Sequence, residues 1–128
     1  MMDALPPAPS RRVMVVDDDP QLRQSLQWAL EDEGFAVETA SDGVEAIAQA
    51  ATQAPDLVIL DMTLPGGDGF QVAAALQAAP GMAPPIVMIT ADGHAAEKAS
   101  RIGAFGYLRK PFDIADLLSM IHQGLASR

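Results

Sequence analysis

Five short apolar runs recur along the chain: RVMVV at residues 12–16, FAVETA at 35–40, DLVIL at 56–60, PIVMIT at 85–90 and FGYLR at 105–109. Each has the length of a strand, and between them the apolar positions shift to a helical period. Leu22, Leu26, Ala29 and Leu30 form one stripe of a first helix, and Val44, Ile47, Ala48 and Ala51 repeat the spacing in a second. An alanine-rich run after Asp68 predicts a third helix, residues 94–102 a fourth, and Ile114, Leu117, Leu118, Ile121 and Leu125 a last one. Acceptors stand where helix starts want them: Asp19 before Pro20, Ser41 or Asp42, Asp68 and Asp113. Strands alternating with helices predict a parallel sheet covered on both faces, with right-handed crossovers. The expectation is one doubly wound α/β sandwich of five βα units over residues 12–126, preceded by a loose, proline-bearing tail at 1–11.

Composition narrows the class. The 128 residues suit a single core, 49% are apolar and 20% charged, and no apolar run approaches the ~18 residues of a membrane span. The formal charge of −9 repels phosphate backbones, which argues against nucleic-acid binding by this chain. With no cysteine, disulfides, thiol chemistry and cysteine-ligated metals drop out. The opening MMDALPPAPSRR lacks the apolar segment of a secretory signal, so a soluble, cytoplasmic chain without membrane contact is expected.

The run VMVVDDDP at 13–20 sets three aspartates at the end of a buried strand, where crowded like charge is costly unless a cation is near. In open parallel sheets the working groups lie at the carboxyl ends of the strands. Those ends carry Asp17 and Asp18, Asp61, Thr90 and Lys110. Asp56 is excluded, since five residues of strand put it about 16 Å from Asp61, at the opposite edge. Three carboxylates at one edge make a hard oxygen site suited to Mg²⁺ (or Mn²⁺) with retained waters. If one is also a nucleophile it can accept a phosphoryl group, with metal and lysine neutralising the oxygens and a hydroxyl binding one.

At these positions the chain resembles the receiver domain of two-component response regulators, the family of the bacterial chemotaxis regulator. VVDDDP resembles its acidic pair, LDMTLPGGDG its phosphoacceptor segment, MITA its switch hydroxyl and YLRKPF its lysine-proline turn, in order from Arg12 to about Ala126. The resemblance implies a flavodoxin-like sheet of order 2-1-3-4-5. It implies that Asp61 is the phosphoacceptor, that Asp17, Asp18, Asp61 and the backbone carbonyl of Met62 hold Mg²⁺, and that Asp18 is the more direct ligand of the acidic pair. It makes Thr90 and Lys110 ligands of the phosphoryl oxygens, Tyr107 the aromatic that turns inward with Thr90, Ala91 the small residue leaving the site open, and Lys110–Pro111 a cis bond. The implied partners are a sensor histidine kinase or a histidine phosphotransfer protein, and downstream a protein target or output domain. The implied protein is a monomer or a phosphorylation-dependent dimer, and not an enzyme beyond its own phosphorylation and dephosphorylation.

Plainer readings apply elsewhere. Asp19 and Asp68 read as helix caps; His94 and His122 lack metal-ligand spacing and read as exposed; Trp28 lies off its helix stripe. Against common family patterns, Gly66 and Gly67 follow Pro65, Thr63 and Asp92 stand two residues after Asp61 and Thr90 at places linked to phosphoryl hydrolysis, and Phe105 and Gly106 stand where one DNA-binding subfamily has acidic residues used in dimer pairing. The alternative is a Mg²⁺-dependent phosphatase or phosphotransferase of haloacid dehalogenase type. That motif wants a second aspartate two residues after the nucleophile, where this chain has Thr63. The chain reads as a free-standing receiver in preference to one cut from a larger regulator or a hybrid kinase.

Overall fold

Val13 to Val16, Leu57 to Leu60 and Ile86 to Ile89 are runs without a polar residue, and each is buried on both faces of a sheet. The computed structural model describes residues 10–64, 69–78, 83–91 and 93–127. Most of the expected tail, the proposed Asp68 cap, Gly66, Gly67 and Asp92 lie outside the described residues. In chain order come β1 (Arg12–Val16), α1 (Pro20–Asp32), β2 (Ala36–Ala40), α2 (Gly43–Thr52), β3 (Leu57–Asp61), α3 (Gly69–Ala78), β4 (Ile86–Thr90), α4 (Ala95–Ile102), β5 (Gly106–Arg109) and α5 (Ile114–Ala126). The strands pair in parallel in the order β2-β1-β3-β4-β5, as the resemblance implies.

The period-two alternation of a strand divides the core in two. Met14, Val16, Val58, Leu60 and Met88 meet α2, α3 and α4 on one face. Val13, Val15, Ile59, Val87 and Ile89 meet Leu26 and Leu30 of α1 and Leu117 and Ile121 of α5 on the other. β3 begins one residue later than its apolar pattern predicts and takes in Asp61. At its amino end the Asp56 carboxylate accepts the Arg12 amide at 2.7 Å, which fixes Asp56 at the edge away from the candidate site.

Helix starts follow local chemistry. Asp19 Oδ1 accepts the amides of Gln21 and Leu22, and Pro20 occupies the first helical position. Between Ser41 and Asp42 the cap is Asp42, which accepts the Glu45 amide at 2.8 Å while the Glu45 carboxylate reaches back to the Ser41 hydroxyl at 3.0 Å. Asp113 departs from expectation: it is the residue before α5, but its side chain makes no capping bond. α4 ends on Gly103 at φ +65°, a conformation glycine adopts without strain, and the following Ala104 amide closes the turn on Ala99.

One apolar stripe faces the opposite way from a core helix. Val44 is 81% exposed and Ile47, Ala48 and Ala51 are exposed with it, while α2 packs through Gly43, Ala46 and Ala50. Small residues on the inner side let the α2 backbone approach the sheet and α3 closely, which the larger Val44 and Ile47 would prevent. Trp28 is also outward, at 64%. The core assignment predicts that Ile121→Ala destabilises the chain by about 2–5 kcal/mol, whereas Val44→Ala stays within about 0.5 kcal/mol. Urea unfolding of both variants checks it; equal costs would contradict the orientations of α5 and α2.

Candidate functional site

Register brings the acids together. Val16 pairs with Leu60 across β1 and β3, so Asp17, the next residue, falls level with Asp61 at the end of β3. Asp61 in turn pairs with Ile89, so Thr90 stands one step further on β4, and the Lys110 amide donates to the Thr90 carbonyl at 2.9 Å as β5 ends. The Lys110–Pro111 bond is cis. Asp17, Asp61 and Thr90 are inaccessible to solvent, while Asp18, in the same cluster, is exposed. Asp17, Asp18 and Asp61 each offer a carboxylate oxygen within 4.8 Å of the others.

Each buried carboxylate is held from two sides. Asp61 Oδ1 accepts the Thr63 amide at 3.0 Å and the Thr63 hydroxyl at 2.8 Å, an Asx-type turn closed by a side chain. Its Oδ2 accepts Lys110 Nζ at 3.3 Å. Asp17 Oδ1 accepts the Asp19 amide at 2.9 Å. Its Oδ2 lies 2.9 Å from Lys110 Nζ, an ion-pair distance outside hydrogen-bonding angles, and that buried oxygen has no hydrogen bond. A buried, under-satisfied carboxylate oxygen beside two more carboxylates is a donor set that fits a hard divalent cation such as Mg²⁺. Met62 follows Asp61 directly and is buried; a Cβ on Gly69 would lie 2.5 Å from Met62 Sδ, so a side chain at the start of α3 would force Met62 to shift.

The electrostatics follow from burial. Desolvation is the largest influence on Asp17 and pushes its carboxyl above the ordinary 3.8; pairing with Lys110 and the Asp19 amide pull it back in part, and the Asp61 charge pushes it further up. For Lys110, burial lowers the pKa, but Asp17 and Asp61 outweigh it and hold the ammonium above the ordinary 10.5.

Of the residues singled out in the sequence, the structure gathers Asp17, Asp18, Asp61 and Lys110 directly and sets Thr90 one register step away. Tyr107, 38% exposed on the edge strand β5, stands apart from the acids with Phe105 and Ile114, also exposed. His94 and His122 are outside the cluster; the His122 ring lies against Phe35, with 5.6 Å between centroids. Two contacts were not expected: the Thr63 hydroxyl on Asp61, and Arg23 Nη1 on the Asp17 carbonyl at 2.7 Å. The first is signalled by a hydroxyl residue two places after an aspartate; the second links residues six apart through a turn and has no such signature.

Residues 13–122 match the response regulator receiver domain family. The response regulator MprA of Mycobacterium leprae is 39% identical over 112 residues, covering 86% of this chain and 49% of that protein. The chain thus spans about half the length of such curated relatives. Among solved structures, Vibrio cholerae chemotaxis protein CheY4 is similar at 34% identity and a TM-score of 0.83, over 91% of this chain and all of that one. Thermotoga maritima TrrA, solved in complex with Mg²⁺ and BeF, is 33% identical with a TM-score of 0.79, over 88% of this chain and 97% of that one.

Because the Asp17 pKa is higher folded than unfolded, the stability it contributes is present below 3.8 and is lost as pH rises through its folded value. The Lys110 contribution has the same form, present below 10.5 and lost only above it. Asp17→Asn is therefore expected to raise the urea midpoint of the metal-free chain near pH 7, with the gain shrinking as pH falls toward 3.8. A gain independent of pH would contradict the burial cause.

Proposed function

The chain belongs to the response regulator receiver domain family, and from that premise we propose that it is a phosphorylation-dependent signalling switch with Asp61 as phosphoacceptor. The observation that carries this reading is the buried Asp61 carboxylate, flanked by Asp17 and Asp18 and facing a single ammonium, Lys110. In the proposed step an Asp61 carboxylate oxygen attacks the phosphorus of a phosphohistidine on a sensor kinase or phosphotransfer protein. The new P–O bond forms as the P–N bond breaks, and the imidazole leaves with the electron pair and takes a proton from solvent. Lys110 pairs with one phosphoryl oxygen and the Thr90 hydroxyl binds another. Mg²⁺, held by Asp17, Asp18, Asp61 and the Met62 carbonyl when bound, supplies neutralisation of the charge gathered there. The complex of TrrA with Mg²⁺ and BeF supports this reading by similarity.

Two states are needed for a signal, and phosphorylation shifts them only by what it binds differently. Thr90 is the first residue to gain a new contact, and Tyr107 at the neighbouring strand edge is the proposed second. The face formed by α4, β5 and α5, where Tyr107, Phe105 and Ile114 are exposed, is the surface offered to a downstream protein or output domain. The chain catalyses only its own phosphorylation and dephosphorylation in this reading; the phosphatase alternative lacks its second acid, since Thr63 stands at that place.

With a small phosphodonor and Mg²⁺, the native chain is expected to gain one phosphoryl group at Asp61 and Asp61→Asn none, by intact mass and peptide mapping. Equal labelling of the variant at another residue would overturn the assignment. Lys110→Ala is expected to retain Mg²⁺ binding but lose the change around Tyr107 that follows beryllium fluoride addition, read by amide chemical shifts. An undiminished change in that variant would remove Lys110 from the coupling.

A further inference from the structure

Asp18 is the solvent-facing acid of the cluster, and among the described residues its carboxylate has no hydrogen-bond or ion-pair partner. Lys110 instead pairs with Asp17 and Asp61. The place from which the Asp18 side chain projects is set by its backbone. That backbone is bracketed by one residue of the first turn of α1: Arg23 Nη1 donates to the Asp17 carbonyl at 2.7 Å, on the peptide that enters Asp18, and the Arg23 amide donates to the Asp19 carbonyl at 3.0 Å, beyond the peptide that leaves it. The Asp19 amide on Asp17 Oδ1 at 2.9 Å closes the turn between them.

The geometry points to Arg23 as a positioning residue that holds the Asp17–Asp18 peptide and so aims Asp18 at the divalent cation; the inference rests on the functional reading above. Contacts behind the ligands of a metal commonly tune its affinity in this way. The sign of the effect separates this role from plain electrostatics. A guanidinium this near the acids repels a cation, so removing its charge alone would tighten Mg²⁺ binding; removing a clamp on Asp18 loosens it.

The test is Mg²⁺ affinity by calorimetry on the full chain as native, Arg23→Ala, Arg23→Lys, Asp18→Asn and Arg23→Ala/Asp18→Asn, with amide hydrogen exchange of the metal-free proteins. Arg23→Ala is expected to weaken Mg²⁺ binding about tenfold. Arg23→Lys should recover most of it, because one donor on the carbonyl suffices. The double variant should bind no more weakly than Asp18→Asn, since residues acting through one contact are not additive. Exchange should accelerate at residues 17–19 and not across β1 and β3. Unchanged or tighter binding in Arg23→Ala, a full additive loss in the double variant, or faster exchange throughout the sheet would each overturn the role. A native chain that takes up no Mg²⁺ would bring down the functional reading and this inference with it, whereas native uptake with an unaffected Arg23→Ala would bring down the inference alone.

Discussion

Two carboxylates with no access to water, Asp17 and Asp61, lean on one ammonium at 2.9 and 3.3 Å. Burial of like charges is tolerated in a fold only where something repays it, and Lys110 repays it in part: Asp17 keeps a raised pKa and one oxygen without a hydrogen bond. Around this residual negative charge the carboxyl edge of the sheet is organised. The parallel register of β1, β3 and β4 brings the strand ends level, the capped start of α1 turns the chain away after Asp19, and the cis bond at Lys110–Pro111 lies where β5 leaves the sheet.

The rest of the molecule keeps this edge rigid on one side and adjustable on the other. Behind the acids stand two continuous apolar layers in which the apolar side chains of the inner strands β1, β3 and β4 are enclosed. In front, Asp18 and Thr63 are exposed, and the Thr63 hydroxyl occupies the Asp61 oxygen that Lys110 does not. A group arriving at Asp61 must displace or share those contacts, which ties its arrival to movement in the chain around it. Arg101 lies over the Phe70 ring at 4.4 Å, so α4 is braced against α3 on the same face of the sheet.

Much of this was legible in the amino-acid pattern, and the failures have physical causes. Buried parallel strands are apolar on both faces, so their runs stand out, and the acids after Val16 and Leu60 mark the carboxyl ends of β1 and β3 to within a residue. Strand boundaries were less sharp: Asp56 reads as strand by neighbourhood but is claimed by the Arg12 amide, and β3 slides one residue to include Asp61. Helix α2 shows where periodicity misleads, because the larger apolar residues Val44 and Ile47 carry the visible stripe while the buried side consists of Gly43, Ala46 and Ala50. Asp113 has a capping residue's position without its bond. The Arg23 contact depends on how a turn folds back and has no sequence period at all.

In the proposed function the acid edge is a preformed seat for a divalent cation whose charge the fold leaves wanting. Thermal unfolding of the native chain over a Mg²⁺ series, with Asp61→Asn alongside, tests it most directly. The midpoint of the native chain should climb with the logarithm of free Mg²⁺ once the ion exceeds its dissociation constant, and that of the variant should climb far less. A native midpoint indifferent to Mg²⁺ would mean that the buried carboxylates serve the fold through Lys110 alone.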